Sequence, residues 1–101
     1  MPTITISGIE RKRMEDLYQE IDHISEMVNV HPTKLIFLFA NDEVFSIEKT
    51  IYIQVEWKQR TDKEEIFAKY LKEFFKDDGD TVSVFFTDVN DKLFVNGRRM
   101  K

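Results

Sequence analysis

An α+β fold of two βαβ units, joined in a four-stranded mixed sheet with two helices on one face, is the architecture this 101-residue sequence predicts. Two observations carry the prediction. Alternating strand patterns are each followed by an apolar stripe at helical spacing, and the strand–helix–strand order occurs twice, at an offset of a little over fifty residues. Right-handed crossovers then lay both helices on the same side of one sheet. One domain spans 1–101, with pseudo-repeat halves 2–40 and 51–89. At 12.1 kDa the chain is long enough for one core and too short for two.

The first strand starts at Pro2, with Ile4 and Ile6 facing one way and Thr3, Thr5 and Ser7 the other. Proline is tolerated as the first residue of a strand because no interior ladder bond is lost there. Ser7 to Glu10 reads as a capping box. Met14, Leu17, Ile21, Ile24 and Val28 then fall at spacings of three and four, one stripe on a helix of about five turns. Arg11, Lys12 and Arg13 crowd its first turn, where the helix dipole disfavours cations. That placement hints at an anion site, against the plainer reading of a solvated charge run.

Asn29 to Thr33 ends the helix, with Pro32 barring its continuation. The run from Lys34 to Ala40 does not alternate and is expected to be a strand buried on both faces. Two helices cover only one face of so small a sheet, so a second copy of the chain is the simplest cover for the other. Asn41-Asp42-Glu43 signals a turn, and Val44 to Ile47 reads as a short return strand or a loop. Ile51, Ile53, Val55 and Trp57 alternate with polar partners in a third strand. Thr61 to Glu64 is a second capping box, opening a helix with Phe67, Tyr70, Leu71 and Phe74 on its apolar face. Gly79 is expected as a left-handed cap. Val82, Val84 and Phe86 mark the last long strand, and Asn96-Gly97 the turn of a terminal hairpin within 93–100.

Bulk composition narrows the function classes. A net charge of −4 disfavours nucleic acid and anionic membranes as partners. The strand order also fits an RNA-binding module, but the third strand, Ile-Tyr-Ile-Gln-Val-Glu-Trp-Lys, lacks the basic Gly-Phe-rich character such a reader needs. The absence of cysteine excludes thiol chemistry and thiolate metal sites. His23 and His31 stand eight apart with no third ligand indicated, so no metal and no cofactor is expected. No stretch reads as a signal peptide or a membrane span, and the expected location is cytoplasmic.

Pro2 itself is the candidate catalyst. Methionine before proline is normally excised, leaving a secondary amine that acts as general base or acid once its pKa is moved toward neutrality. Pro2 opening a Pro-x-Ile-x-Ile strand, the two βαβ units and the open sheet face resemble the tautomerase superfamily, which includes 4-oxalocrotonate tautomerase and macrophage migration inhibitory factor. Val55-Glu56-Trp57 followed by Arg60 is similar to a small bacterial branch of that superfamily, a domain of unknown function. The resemblance implies a trimer with sites between subunits, a proline that shuttles a proton in keto–enol chemistry, and cations that hold a small anionic keto acid. Arg11 and Arg13 are the first candidates for those cations, then Arg60, with His31 and Lys34 before the second strand. Trp57 and Phe85 are candidates for the apolar wall. The sequence departs from the superfamily on its final strand, where Ser83 and Phe85 replace a tyrosine–asparagine pair. The alternative is a non-catalytic oligomer of the same fold that binds a small ligand or a protein.

Overall fold

The computed structural model describes residues 2–40, 44–58, 60–89 and 94–99. Strand β1 (Thr3–Ser7) is followed by helices α1 (Arg11–Tyr18) and α2 (Ile21–Val28), a single 3-10 turn (Pro32–Lys34) and β2 (Ile36–Ala40). The second unit is β3 (Thr50–Trp57), α3 (Thr61–Phe75) and β4 (Thr81–Asp88). A separate two-stranded hairpin pairs β5 (Phe94–Val95) with β6 (Arg98–Arg99). The main sheet has the order β2-β1-β3-β4. β1 runs parallel to β2 and antiparallel to β3, and β3 runs parallel to β4, so each βαβ unit supplies one parallel pair.

The alternation read from the sequence sets the layers. Ile4 and Ile6 from β1 and Ile51, Ile53, Val55 and Trp57 from β3 are fully buried on one side of the sheet. Leu17, Ile24, Phe67, Leu71 and Phe75 press onto them from the helices. Burying each such side chain contributes roughly 1.5–3 kcal/mol, so this layer dominates the stability of the fold. Trp57 stacks on Phe86 with ring centroids 5.1 Å apart and lies 6.0 Å from Phe67.

Several local expectations change. The five-turn helix is broken at Gln19–Glu20, where the Glu20 N–H donates to the Leu17 carbonyl three residues back. A straight helix of that length diverges from a twisted sheet, and the break keeps Met14 and Leu17 as well as Ile24 and Val28 on the core. Ser7 does not cap it: Ser7 is still in the ladder, between Ala40 and Tyr52, and Glu10 holds the N-cap position. At α3 the N-cap is Arg60, one residue before the expected Thr61. Gly79 does not adopt positive φ; its role is close approach, because a Cβ there would lie 3.0 Å from the Lys49 carbonyl oxygen. The stretch 34–40 is not buried on both faces in the single chain. Leu35, Phe37 and Phe39 face the helices, while Ile36, Leu38 and Ala40 face the uncovered side, with Leu38 exposed.

Val44 to Ile47 is a loop rather than a strand. The terminal hairpin forms with Asn96 and Gly97 both at positive φ, as its turn requires. The expected turn at 41–43 and the hairpin's flanking Leu93 and Met100 lie outside the described residues.

Gly8 is the tightest of the three glycines. Its φ is +90°, and an added Cβ would stand 2.5 Å from the Thr50 carbonyl oxygen. Gly8→Ala combines a left-handed backbone with a clash against a fixed strand, and we expect it to cost at least about 2 kcal/mol in urea unfolding.

Candidate active site at the Pro2 end of the sheet

Pro2 precedes β1 at one end of the sheet and is buried. Its carbonyl accepts the Ile36 N–H at 3.0 Å. Continuing the strand registers by one residue places Pro2 between Leu35 and Trp57, both buried apolar side chains. The Trp57 carbonyl accepts the Val89 N–H at 2.7 Å, which carries the β3–β4 pairing past the end of β4.

Arg60 follows on the turn into α3. Its Nη1 donates to the Val28 carbonyl at 3.3 Å, at the C-terminal end of α2. Among the described residues, the Arg60 Nε and the Trp57 Nε1 are both buried without a hydrogen-bond partner, as is the Tyr70 hydroxyl farther along α3. Two unsatisfied N–H donors three residues apart are an uncommon cost, on the order of 1–3 kcal/mol each. His31 and Lys34 lie in the connection leading to β2. The His31 Nδ1 lies 3.2 Å from the Thr33 backbone N and 2.8 Å from its Oγ1, and both His31 and Lys34 are exposed.

The structure thus gathers Pro2, His31, Lys34, Trp57 and Arg60 at one end of the sheet, and separates the others. Arg11 and Arg13 follow the opposite end of β1, about 17 Å along the strand from Pro2 at ~3.3 Å per residue. Phe85 pairs with Gln54 and is 56% exposed on the uncovered face, whereas Trp57 lies on the helix-covered face. Within one chain these two aromatics cannot wall the same space.

Arg13 has a structural task that the sequence did not signal. Its Nε donates to both Asp78 oxygens at 3.0 and 3.1 Å, its Nη1 to Asp16 at 3.0 Å and its Nη2 to the Phe74 carbonyl at 2.9 Å. The guanidinium also lies 4.7 Å from the Phe74 ring centroid. It straps α1 to the end of α3, and its charged form is favoured first by Asp78. Lys12 pairs with Asp16 at 2.6 Å and Arg11 lies 3.9 Å from Glu15, so carboxylates one turn on answer each cation of the first turn. Asp78 is 65 residues from Arg13, beyond the reach of any spacing rule. Among the described residues no cluster of histidine and carboxylate side chains is arranged to hold a metal ion.

A model for a domain of unknown function, DUF1904, matches residues 1–99. The chain belongs to the DUF1904 family. A DUF1904 structure from Sebaldella termitidis ATCC 33386 superposes with a TM-score of 0.87 at 19% identity, covering 99% of this chain and 100% of that one. A macrophage migration inhibitory factor-like protein from Entamoeba histolytica gives 0.73 at 11% identity, covering 98% and 96%. A member of the cis-3-chloroacrylic acid dehalogenase family gives 0.70 at 7% identity, covering 98% and 83%. No curated protein matches the chain. At these identities the likeness establishes a tautomerase-like fold in this DUF1904 chain, and the chemistry has to be argued from its own residues.

Two substitutions separate the strap from the site. Arg13→Lys removes the fork that meets Asp78, Asp16 and Phe74 together, and we expect about 1–2 kcal/mol of destabilisation in urea. Asp16 is held below the ordinary carboxylate pKa, first by the Lys12 hydrogen bond and then by that of Arg13. A depressed folded pKa contributes stability above the unfolded value of 3.8, lost as pH falls through the folded one. Asp16→Asn therefore lowers the Tm at pH 7, and the difference from wild type shrinks as the pH falls below the ordinary carboxylate range.

Proposed function

We propose that this DUF1904 chain is a keto–enol tautomerase acting on a small anionic keto acid, with the Pro2 amine as general base and acid and a homo-oligomer as its working form. The observation that carries the proposal is Pro2 buried beside Trp57 and Leu35 at the start of the central strand. An apolar wall disfavours the charged amine, and a neighbouring cation disfavours it further, so both lower its pKa toward neutrality. Arg60 is the cation of this chain best situated for the role, with His31 and Lys34 at the rim.

In the proposed reaction the neutral Pro2 nitrogen removes a proton from the carbon next to the substrate carbonyl. The electron pair moves onto oxygen, and the protonated amine returns the proton to that oxygen. Nothing is oxidised or reduced and no co-reactant is consumed. Arg60 holds the substrate carboxylate and stabilises charge that develops on the enolate, where a fixed donor is most effective. The uncovered sheet face supports the oligomer. Of the described strand residues facing that side of the main sheet, Glu56 alone is charged at neutral pH, although 34% of all residues are charged. Depletion of charge is the compositional mark of an interface. A trimer is the assembly that the tautomerase resemblance implies, with Arg11 or Phe85 of a neighbour available to complete the site.

Intact mass of the untagged protein is the first test. Loss of Met1 leaves the Pro2 amine free, and turnover of enolisable 2-keto acids is then expected, reduced at least about 100-fold by Pro2→Ala with the oligomer mass unchanged. Retained Met1 makes the nitrogen an amide without basicity and ends the catalytic reading, leaving ligand binding by a non-catalytic oligomer. Full activity of Pro2→Ala would end it equally.

A further inference from the structure

Trp57 carries a polar group that the fold leaves idle. It is the one tryptophan of the chain, it is fully buried, and its ring packs on Phe86 and Phe67. A phenylalanine would fill that packing without bringing a donor into it. Among the described residues the indole N–H has no acceptor, and a buried donor without one is destabilising. Arg60, three residues on, repeats the pattern at Nε, while its Nη1 reaches the Val28 carbonyl at a long 3.3 Å. Backbone directions set Trp57 against Pro2. The Pro2 carbonyl points to β2, where it accepts the Ile36 N–H, and the Trp57 carbonyl points to Val89, whose N–H it accepts. Neither residue therefore bonds the other, and the register past Thr3 and Glu56 makes them a non-hydrogen-bonded pair. That is the closer kind of antiparallel pair, with Cα atoms about 4.5 Å apart and both side chains on one face.

We propose that the Trp57 indole N–H is a ligand donor, binding the carbonyl oxygen of a 2-oxo acid whose carboxylate lies on Arg60. The chemistry of the two donors selects that class. A neutral N–H on a packed ring suits a carbonyl oxygen, and a guanidinium suits a carboxylate. A 2-oxo acid offers both acceptors on adjacent carbons, and the carbon beyond its carbonyl is the one that Pro2 would deprotonate. A saturated acid of the same length leaves the indole N–H unpaired and is rejected for that reason. Entry requires the half-buried Arg60 side chain to leave Val28, a small loss for so long a bond. The proposal rests on the tautomerase reading above and gives its site a further binding residue and a narrower substrate class.

One tryptophan gives one indole N–H resonance, so the test is a nitrogen–proton correlation spectrum of the untagged protein titrated with pyruvate or with propanoate. Pyruvate is expected to move the indole proton downfield to saturation, and propanoate to leave it in place. Trp57→Phe keeps the ring packing and loses only the donor. Its affinity for pyruvate is expected to fall about 10-fold, with a urea midpoint no lower than wild type because no unpartnered indole N–H is buried any longer. An indole resonance that pyruvate leaves in place, or that both acids move alike, overturns the assignment, and so does unchanged affinity in Trp57→Phe. Deuterium exchange at the pyruvate methyl group, which reports enolisation, separates the two readings. A shifted indole without exchange keeps Trp57 as a ligand donor and ends the catalytic reading. Exchange with an unmoved indole ends the Trp57 assignment and leaves catalysis by Pro2 standing, and neither shift nor exchange overturns both.

Discussion

Antiparallel pairing of β1 with β3 is the constraint on which the remaining structure depends. The two strands form the middle of the sheet, and each βαβ unit adds its second strand outside them. Ile4 stands opposite Val55 and Ile6 opposite Ile53, all four fully buried. A slip of one residue would turn an apolar row of one strand onto the uncovered face. It would also bring Glu56 rather than Trp57 beside Pro2. Register therefore fixes the core and the surroundings of Pro2 together, and neither can change without the other.

The sheet is covered on one side only, and that asymmetry organises the surface. The helices turn their charges outward and tie themselves to each other, most visibly through Arg13, which joins the start of α1 to the end of α3 by way of Asp78 and the Phe74 carbonyl. The other face is made largely of Thr, Ser and apolar side chains. Such a surface has little to gain from water beyond its hydroxyls and little to oppose a neighbour. Among the described residues, the buried donors without a partner are Trp57 Nε1 and Arg60 Nε at the Pro2 end and the Tyr70 hydroxyl in the middle of α3. Unmatched buried donors are costs that a folding argument alone does not explain.

Signals that depend on period were legible, and signals that depend on a specific partner were not. The stripe from Met14 to Val28 kept its inward direction even though the helix is broken beneath it, because burial follows spacing. The serine capping box failed because Ser7 had a stronger use in the β1 ladder. Gly79 read as a left-handed cap, yet its lack of a side chain serves the close passage of Lys49. The crowded cations of the first turn hinted at an anion site against the plainer reading of a solvated charge run, and Arg13 is committed to a carboxylate 65 residues away. Of the proposed site residues, the ones at the Pro2 end of the sheet are those flanking β2 and β3, whose register follows from pairing. Arg11, Arg13 and Phe85 were matched to it by order along the chain, which carries no information about distance.

The sequence by itself determined the elements, their order and the apolar face of each. Alternation and helical spacing are local properties, and right-handed crossovers leave few ways to join two βαβ units. Tertiary structure alone decided that Trp57 and Arg60 stand at the Pro2 end of the sheet, which arginine is consumed by a strap, and which aromatic stands on the open face. Those outcomes follow from strand register and from contacts between residues far apart in the chain. Such contacts are selected by the packing of the whole, and no short stretch of residues records them.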